Sequence, residues 1–397
     1  MGTALARRSQ SGADRLMRRV LPDLSDLQTP CYIVDEQALA DNVQCLAGVA
    51  SDTGCKILLA QKAFSMFAVY PLLRQYLHGT TASGLYEARL GHEYFGGETH
   101  VFSPAYQDRE FDEILAVSDH LVFNSFAQWR HFKDRAMEAG RSCGMRVNPQ
   151  RPTQKSSLYD PCTQNSRLGV PRSAFEPDAC EGLSGLHFHC LCEQNTDALA
   201  IALAAFEEQF GSFLDQMSWV NFGGGHHVTR SDYDIDHLKQ MIEDFSHRHS
   251  VTVYLEPGEA VALDAGYLIS TVIDIVGVGT DLPIAILDTS ATCHMPDVLE
   301  VPYQPRLTGA GVAGEKKITV RLGGPTCLAG DIIGDYSFNV MPKIGDRMVF
   351  HDMAIYTMVK NNTFNGMRLP DIVLWKADNT MQIVKQFGYE DFKNRLS

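Results

Sequence analysis

No stretch of the 397-residue chain approaches the roughly 20 consecutive apolar residues that a membrane-spanning helix needs. Paired cysteines are missing too. The ten cysteines form no C-x-x-C pair and suggest no zinc knuckle, so reduced thiols in a cytoplasmic enzyme are the expectation. Positive charge is in short supply: 34 Lys and Arg stand against 48 Asp and Glu, a net charge of −14. That balance argues against a nucleic-acid binder and admits a cationic ligand. There are no internal repeats and no low-complexity stretches. The basic opening, MGTALARRSQSGADRLMRRV, lacks the long apolar run of a secretory signal. Residues 1–27 are therefore expected to be a disordered or weakly ordered lead-in.

What remains is an ordinary globular composition, 45% hydrophobic and 21% charged, long enough to predict two domains. From residue 31 onward β-rich bursts alternate with helical patterns. CYIV precedes DEQALADNVQCLAGVA, where Asp35 is placed to cap a helix. Eight strand candidates follow: KILLA (56–60), TTAS (80–83), HVFS (100–103), HLVFN (120–124), GMRVN (144–148), GLHFHC (185–190), WVNF (219–222) and TVYLE (252–256). Helical stretches such as FAVYPLLRQYL, LYEARLGHEYF and DALAIALAAFEEQF lie between them. Repeated strand–helix units predict parallel pairing, and eight of them predict a closed (β/α)8 barrel. An open doubly wound sheet would show a Gly-rich turn after its first strand, which KILLAQKAF lacks. Beyond residue 267, runs such as YLISTVIDIVGV, LPIAILD, KKITVRLGG and RMVFHD predict a second, all-β domain. The predicted boundaries are 37–267 for the barrel and 268–397 for the β domain.

Chemistry in such a barrel sits just past the strand ends. Lys62 follows the first strand in LLAQKAF, where desolvation would lower its pKa and make it a usable amine; taken alone it could be a solvated surface lysine. The sixth strand ends in HFHCLCEQN, with His187 and His189 on one side of the strand. The seventh runs into NFGGGHH, whose Gly223, Gly224 and Gly225 form either a flexible turn or a cradle for a phosphate. The eighth ends in YLEPGEA, where Glu256 and Glu259 bracket a Pro-Gly pair; acids there could also serve only the helix dipole. An H-x-H pair invites a metal-hydrolase reading, for which the later strand ends offer only His226, His227 and Glu256. His187 could equally be a structural histidine satisfied by its neighbours. An amine, a phosphate cradle, an imidazole and an acid together describe a pyridoxal 5'-phosphate site. Lys62 would supply the Schiff base, the glycines would hold the phosphate, and His189 would lie on the ring face. Glu256 would keep the pyridine nitrogen protonated.

From about residue 28 to its end the chain resembles the fold-type III pyridoxal phosphate decarboxylases, the group of alanine racemase, ornithine decarboxylase and diaminopimelate decarboxylase. The resemblance rests on Glu256-Pro257-Gly258, GGPTC (323–327) and AIYTMVKNNTFNG (354–366). Within the group it is most similar to the carboxynorspermidine decarboxylases, through HFHCLCEQ (187–194), EPGEA (256–260), LDTSATCHMPDVLEVPY (287–303) and PTCLAGD (325–331). The resemblance implies a barrel followed by a β-barrel or sandwich domain, with residues 28–36 adding a strand to the latter. It implies a homodimer in which Cys327 and Asp331 reach the partner's site, with Tyr356 on the phosphate. It also implies decarboxylation of carboxynorspermidine or carboxyspermidine, with Cys327 as candidate proton donor; a buried, inert thiol is the alternative for that residue.

Two departures matter. Ornithine and diaminopimelate decarboxylases carry EPGR, whereas this chain has Glu259 in that slot. An acid repels a phosphate, so Glu259 and Asp288 are expected to grip the substrate's amines; Asp288 could instead be a turn acid. Leu328 stands where ornithine decarboxylase has an acid after the cysteine, which disfavours ornithine. The competing readings are a diaminopimelate or other basic amino-acid decarboxylase, a catalytically inactive regulatory homologue, and a metal-dependent hydrolase. Retention of Lys62 and Cys327 speaks against the inactive homologue.

Overall fold

The computed structural model describes residues 19–154 and 160–397. The chain divides into two compact units, one of residues 40–261 and one of the residues up to 39 together with 262–397.

The first unit is the barrel. After β1 (Cys31–Asp35) and the helix Glu36–Thr53 come β2 (Lys56–Ala60), β3 (Gly79–Ala82), β4 (Glu98–Phe102), β5 (His120–Phe123) and β6 (Ser142–Asn148). A two-residue β7 (Val170–Pro171) precedes β8 (Gly185–His187), β9 (Trp219–Asn221) and β10 (Thr252–Leu255). Strands β2 to β6 and β8 to β10 are all parallel, and β10 pairs with β2 to close the ring. Each of the eight predicted strands is present. The outer helices start where polar caps precede apolar periodicity, at Ser125, Asn195 and Asp234. Asp35 likewise accepts the backbone N–H groups of Gln37 and Ala38.

The interior shows why small residues fall where they do. Register places Gly144, Gly185 and Trp219 side by side on β6, β8 and β9. The Trp219 indole lies across both glycines, and a Cβ on either would overlap it. Leu58, Val122, Tyr254 and Phe102 pack with it.

The second unit is a nine-stranded, mostly antiparallel sheet. It comprises β1, β11 (Gly266–Val276), β12 (Ile284–Leu287), β13 (Gly311–Val312), β14 (Ile318–Gly323), β15 (Ile332–Phe338), β16 (Arg347–His351), β17 (Asp371–Trp375) and β18 (Met381–Lys385). β1 lies between β11 and β17. The compact split falls at 261/262 rather than 267/268, because the short helix Glu259–Ala262 ends the barrel and β11 already starts at Gly266. Residues 1–18 of the expected lead-in lie outside the described residues. From Arg19 the chain is packed: Leu21, Leu24 and Leu27 cover a core of Cys31, Ile33, Tyr267, Ile269, Val373 and Trp375, and Arg19 pairs with Asp35 over the Trp375 ring. Three leucines at i, i+3 and i+6 gave that segment an apolar face that composition alone hides. Among the described residues no helix is long and apolar enough to cross a membrane.

Gly185→Ala should destabilise the fold by about 1–3 kcal/mol through overpacking against Trp219. Gly48→Ala, in a helix with nothing near its missing Cβ, should instead be neutral or stabilise by up to about 1 kcal/mol. Denaturant titration of the two variants beside the parent measures both.

Candidate active site

Lys62 sits in the turn directly after β2, and that turn is clamped from several sides. Ala60 N–H donates to the Pro257 carbonyl at 3.1 Å, and Gln61 N–H to the Thr81 carbonyl at 3.1 Å. The fully buried Gln61 side chain donates to the Glu87 carbonyl at 2.7 Å and accepts from the Tyr70 hydroxyl at 3.0 Å. Gly258 presses against the same turn, so that a Cβ there would stand 2.6 Å from Ala63 Cβ. The Glu-Pro-Gly element and the lysine turn thus form one packed unit. Lys62 is exposed just past the end of β2, yet the protein around it desolvates the amine. Desolvation pulls its pKa down from the usual lysine value, Glu256 opposes this, and Arg146 adds to the fall.

Glu256 is buried at the end of β10. Its Oε1 accepts from Asn221 Nδ2 at 2.8 Å, and its Oε2 lies 3.2 Å from His187 Nε2. Burial alone would raise its pKa, but His187, with His100 and Lys62 behind it, outweighs burial and holds the carboxyl below the usual carboxylate range. His187 packs flat on Phe102, and the Arg146 guanidinium lies over the same ring at 4.5 Å from its centroid.

His189 has a different partner, the Gly224 N–H, which donates to Nδ1 at 2.9 Å and so leaves the ring proton on Nε2. Burial keeps this imidazole well below its ordinary pKa, with Lys62 and Arg146 contributing. The two histidines of H-x-H are therefore engaged separately, one by an acid and one by a backbone amide. The glycine turn is threaded tightly: Cβ atoms at Gly223 would meet the Phe188 carbonyl at 2.6 Å, and at Gly224 the Glu256 carbonyl at 2.5 Å. Gly223 N–H donates to Asn221 Oδ1 at 2.8 Å. Two of the three glycine amides are thus already used inside the protein.

Glu259, the first residue of the helix Glu259–Ala262, has its Oε2 2.7 Å from Nε2 of the buried His227. Glu193 joins them, one ligand atom from each lying within 4.8 Å of the others. The acid that replaces the arginine of EPGR therefore faces an imidazole and a second carboxylate.

In the β unit, both oxygens of Asp288 are occupied. Oδ1 accepts from Ser270 Oγ at 2.7 Å and Thr271 N–H at 2.8 Å, and Oδ2 from Thr29 Oγ1 at 2.6 Å. Asp288 thereby joins Thr29, Ser270 and Thr271, a wider set of partners than the turn acid that was its alternative reading. Asp331 is buried and ties Ser290 and Thr292 to Thr326, which shapes the loop carrying Cys327. Asn365 Oδ1 accepts the Cys327 N–H at 2.9 Å, so the PTC and TFNG segments meet. Cys327 is the one exposed cysteine of the ten, not a buried inert thiol. Tyr356 holds φ at +54°, an uncommon and costly backbone conformation for a bulky residue and a mark of functional sites.

Gln61, Arg146, Asn221 and Glu193 were not singled out in the sequence. Glu193 had a signal, its place in HCLCEQN beside His189, and Gln61 adjoins the lysine; the others carry none without the fold. Gly258→Ala should cost about 1–3 kcal/mol in denaturant titration, because the Cβ must displace the lysine turn. A loss below that range would mean the turn gives way freely.

Comparison with known proteins agrees with this geometry. The family model described as pyridoxal-dependent decarboxylase, C-terminal sheet domain, matches residues 31–354. A carboxynorspermidine/carboxyspermidine decarboxylase of Campylobacter jejuni is 42% identical over 93% of this chain and 98% of its own. A carboxyaminopropylagmatine decarboxylase of Synechocystis is 39% identical over 94% and 97%. The solved structure of a Campylobacter jejuni carboxynorspermidine decarboxylase complexed with norspermidine superposes with a TM-score of 0.86 at 41% identity, covering 93% of this chain and all of that one. A barrel mouth bearing a desolvated lysine beside a buried acid, and relatives matched over nearly their whole length, lead to one conclusion: the chain belongs to the pyridoxal-dependent decarboxylases.

Proposed function

We propose that this carboxy-lyase removes the α-carboxylate of carboxynorspermidine or carboxyspermidine and thereby releases a polyamine. The observation that carries the substrate assignment is the acidic cluster of Glu193 and Glu259 around His227. Two carboxylates at that point suit the positively charged amines of a polyamine chain and repel the distal carboxylate of diaminopimelate.

The mouth fits pyridoxal 5'-phosphate on donor chemistry. Lys62 offers an amine of lowered pKa, Glu256 an ionised carboxylate, and His189 a neutral imidazole. Bound there, the cofactor supplies an electron sink for the pair released when the carbon–carboxylate bond breaks. Glu256 holds a proton at the cofactor's ring nitrogen, and His187 and Asn221 keep that acid aimed. His189, fixed by the Gly224 amide, covers the ring face. With the Gly223 and Gly224 amides occupied, Gly225 would be the glycine whose N–H serves a phosphate; for Tyr356 that role rests on the family resemblance alone. Glu259, oriented by His227, binds the cationic chain together with Glu193. The Cys327 thiol donates a proton to the substrate Cα, acting in the partner's site of a homodimer, to which Asp331 contributes by holding the thiol's loop.

A second substrate has a specific reason behind it. The carboxyaminopropylagmatine decarboxylase is nearly as similar as the carboxynorspermidine/carboxyspermidine enzyme, and a guanidinium end would also suit the acidic cluster. Comparing kcat/KM for the three carboxylated amines decides between them. Carboxynorspermidine and carboxyspermidine differ by one methylene, worth about 1–3 kcal/mol in a pocket.

Lys62→Ala should remove the visible absorption of the purified protein along with activity; a protein that keeps its colour would show that another group binds the cofactor. Glu259→Gln should lower kcat/KM about 10–100-fold, as expected from ~1.5–3 kcal/mol for a hydrogen bond to a charged group, with cofactor content unchanged. Loss of cofactor in that variant would instead move Glu259 to the cofactor side.

A further inference from the structure

Glu193 holds its backbone at φ +54°. That region suits glycine or asparagine, and a longer side chain keeps it only where the surroundings over-determine it. Here they do so from two sides. On the first, Gly225 lies against residues 191–192 so closely that a Cβ on it would stand 2.1 Å from the Leu191 carbonyl oxygen. The Gln194 N–H donates to the Gly225 carbonyl at 3.0 Å and the His227 N–H to the Gln194 carbonyl at 3.3 Å, which makes a short parallel bridge between Gln194 and His226. Arg230 Nη1 donates to the Glu193 carbonyl at 3.2 Å.

On the second side lie Thr153 and Gln154, past the end of β6. Gln154 Nε2 donates to the Cys192 carbonyl at 2.6 Å. The Gln194 amide and Thr153 bond reciprocally: Nε2 donates to the Thr153 carbonyl at 3.0 Å, and Oε1 accepts from the hydroxyl at 2.9 Å, with the Cys190 carbonyl farther from that hydroxyl at 3.4 Å. Thr153 and Gln154 are themselves held by the buried Asp160. Its Oδ2 accepts both of their backbone N–H groups at 2.8 Å, and its Oδ1 accepts the Cys162 N–H at 2.8 Å. The residues before and after Glu193 are thus each pinned by this segment, while the Glu193 carboxylate lies in the cluster with His227 and Glu259.

We propose that Thr153 and Gln194 are positioning residues for substrate binding: their reciprocal hydrogen bonds, backed by Asp160, hold Glu193 in its strained backbone so that its carboxylate meets the cationic chain beside Glu259. The proposal rests on the reading of that cluster as the amine-binding end of the site. An acid already fixed in place spares the substrate the cost of ordering a long side chain and its backbone on binding, and the gain appears as affinity. Neither residue contacts Lys62, Glu256 or His189 among the described contacts, so the effect belongs to binding rather than to the chemical step.

The test measures steady-state decarboxylation of carboxynorspermidine by the holoenzyme. Thr153→Val and Gln194→Met should each raise KM about 3–10-fold, with kcat within about twofold of the parent and the visible cofactor spectrum unchanged. Thr153→Ser, which keeps the hydroxyl, should return KM toward the parent value. Glu193→Gln alone should raise KM, and adding Thr153→Val to it should raise KM little further, because the pair acts through the acid. Glu193→Gln without a rise in KM would overturn the amine-binding reading itself. A rise there with none in Thr153→Val would overturn this proposal and leave that reading standing. Fully additive effects of the two changes, or a loss of kcat and cofactor at constant KM, would likewise overturn the positioning role.

Discussion

A carboxylate stays ionised inside a barrel only when neighbours donate to it, because leaving water costs far more than a single contact returns. Glu256 meets this condition through Asn221 and His187, and much of the mouth follows from it. Asn221 also accepts the Gly223 amide, which starts the glycine turn; the next amide fixes His189. His187 in turn rests on Phe102, and Phe102 on Arg146. One buried acid therefore organises the ends of β4, β6, β8, β9 and β10.

The two glutamates of EPGEA divide along a physical line. Glu256 is enclosed by hydrogen-bond donors and suits a fixed role toward a cofactor. Glu259 shares its surroundings with His227 and another acid, and is half-buried, as a group that meets a changing ligand should be. A single position, arginine in EPGR and glutamate here, thereby changes the sign of the charge that the site offers.

The barrel was legible because each parallel strand, buried on both faces, shows as a short apolar burst, as in KILLA or HLVF. The positions of Lys62, His189 and Glu256 just past strands were legible for a related reason: those strand ends could be located. What stayed hidden depends on pairings between distant segments. Nothing in LDTSATC says that Asp288 spends both oxygens on Thr29, Ser270 and Thr271, and nothing in EPGEA says that Glu259 meets His227. The amides of Gln61 and Asn221 carry no charge and no motif, so their clamping roles appear only with the fold. The compact-unit boundary at 261/262 was obscured because a four-residue helix leaves no periodicity to read.

The contact between Gly258 and the Ala60–Ala63 turn has a mechanical meaning beyond packing. Because Gly258 lies directly against the Ala60 and Ala63 methyl groups, and the two segments are joined by the Ala60 to Pro257 hydrogen bond, neither can shift alone. Thermal motion then carries the amine and the acid together as a single body. Their separation is set by this close packing and one backbone hydrogen bond rather than by the independent wandering of two loops, so the site can breathe without losing its spacing.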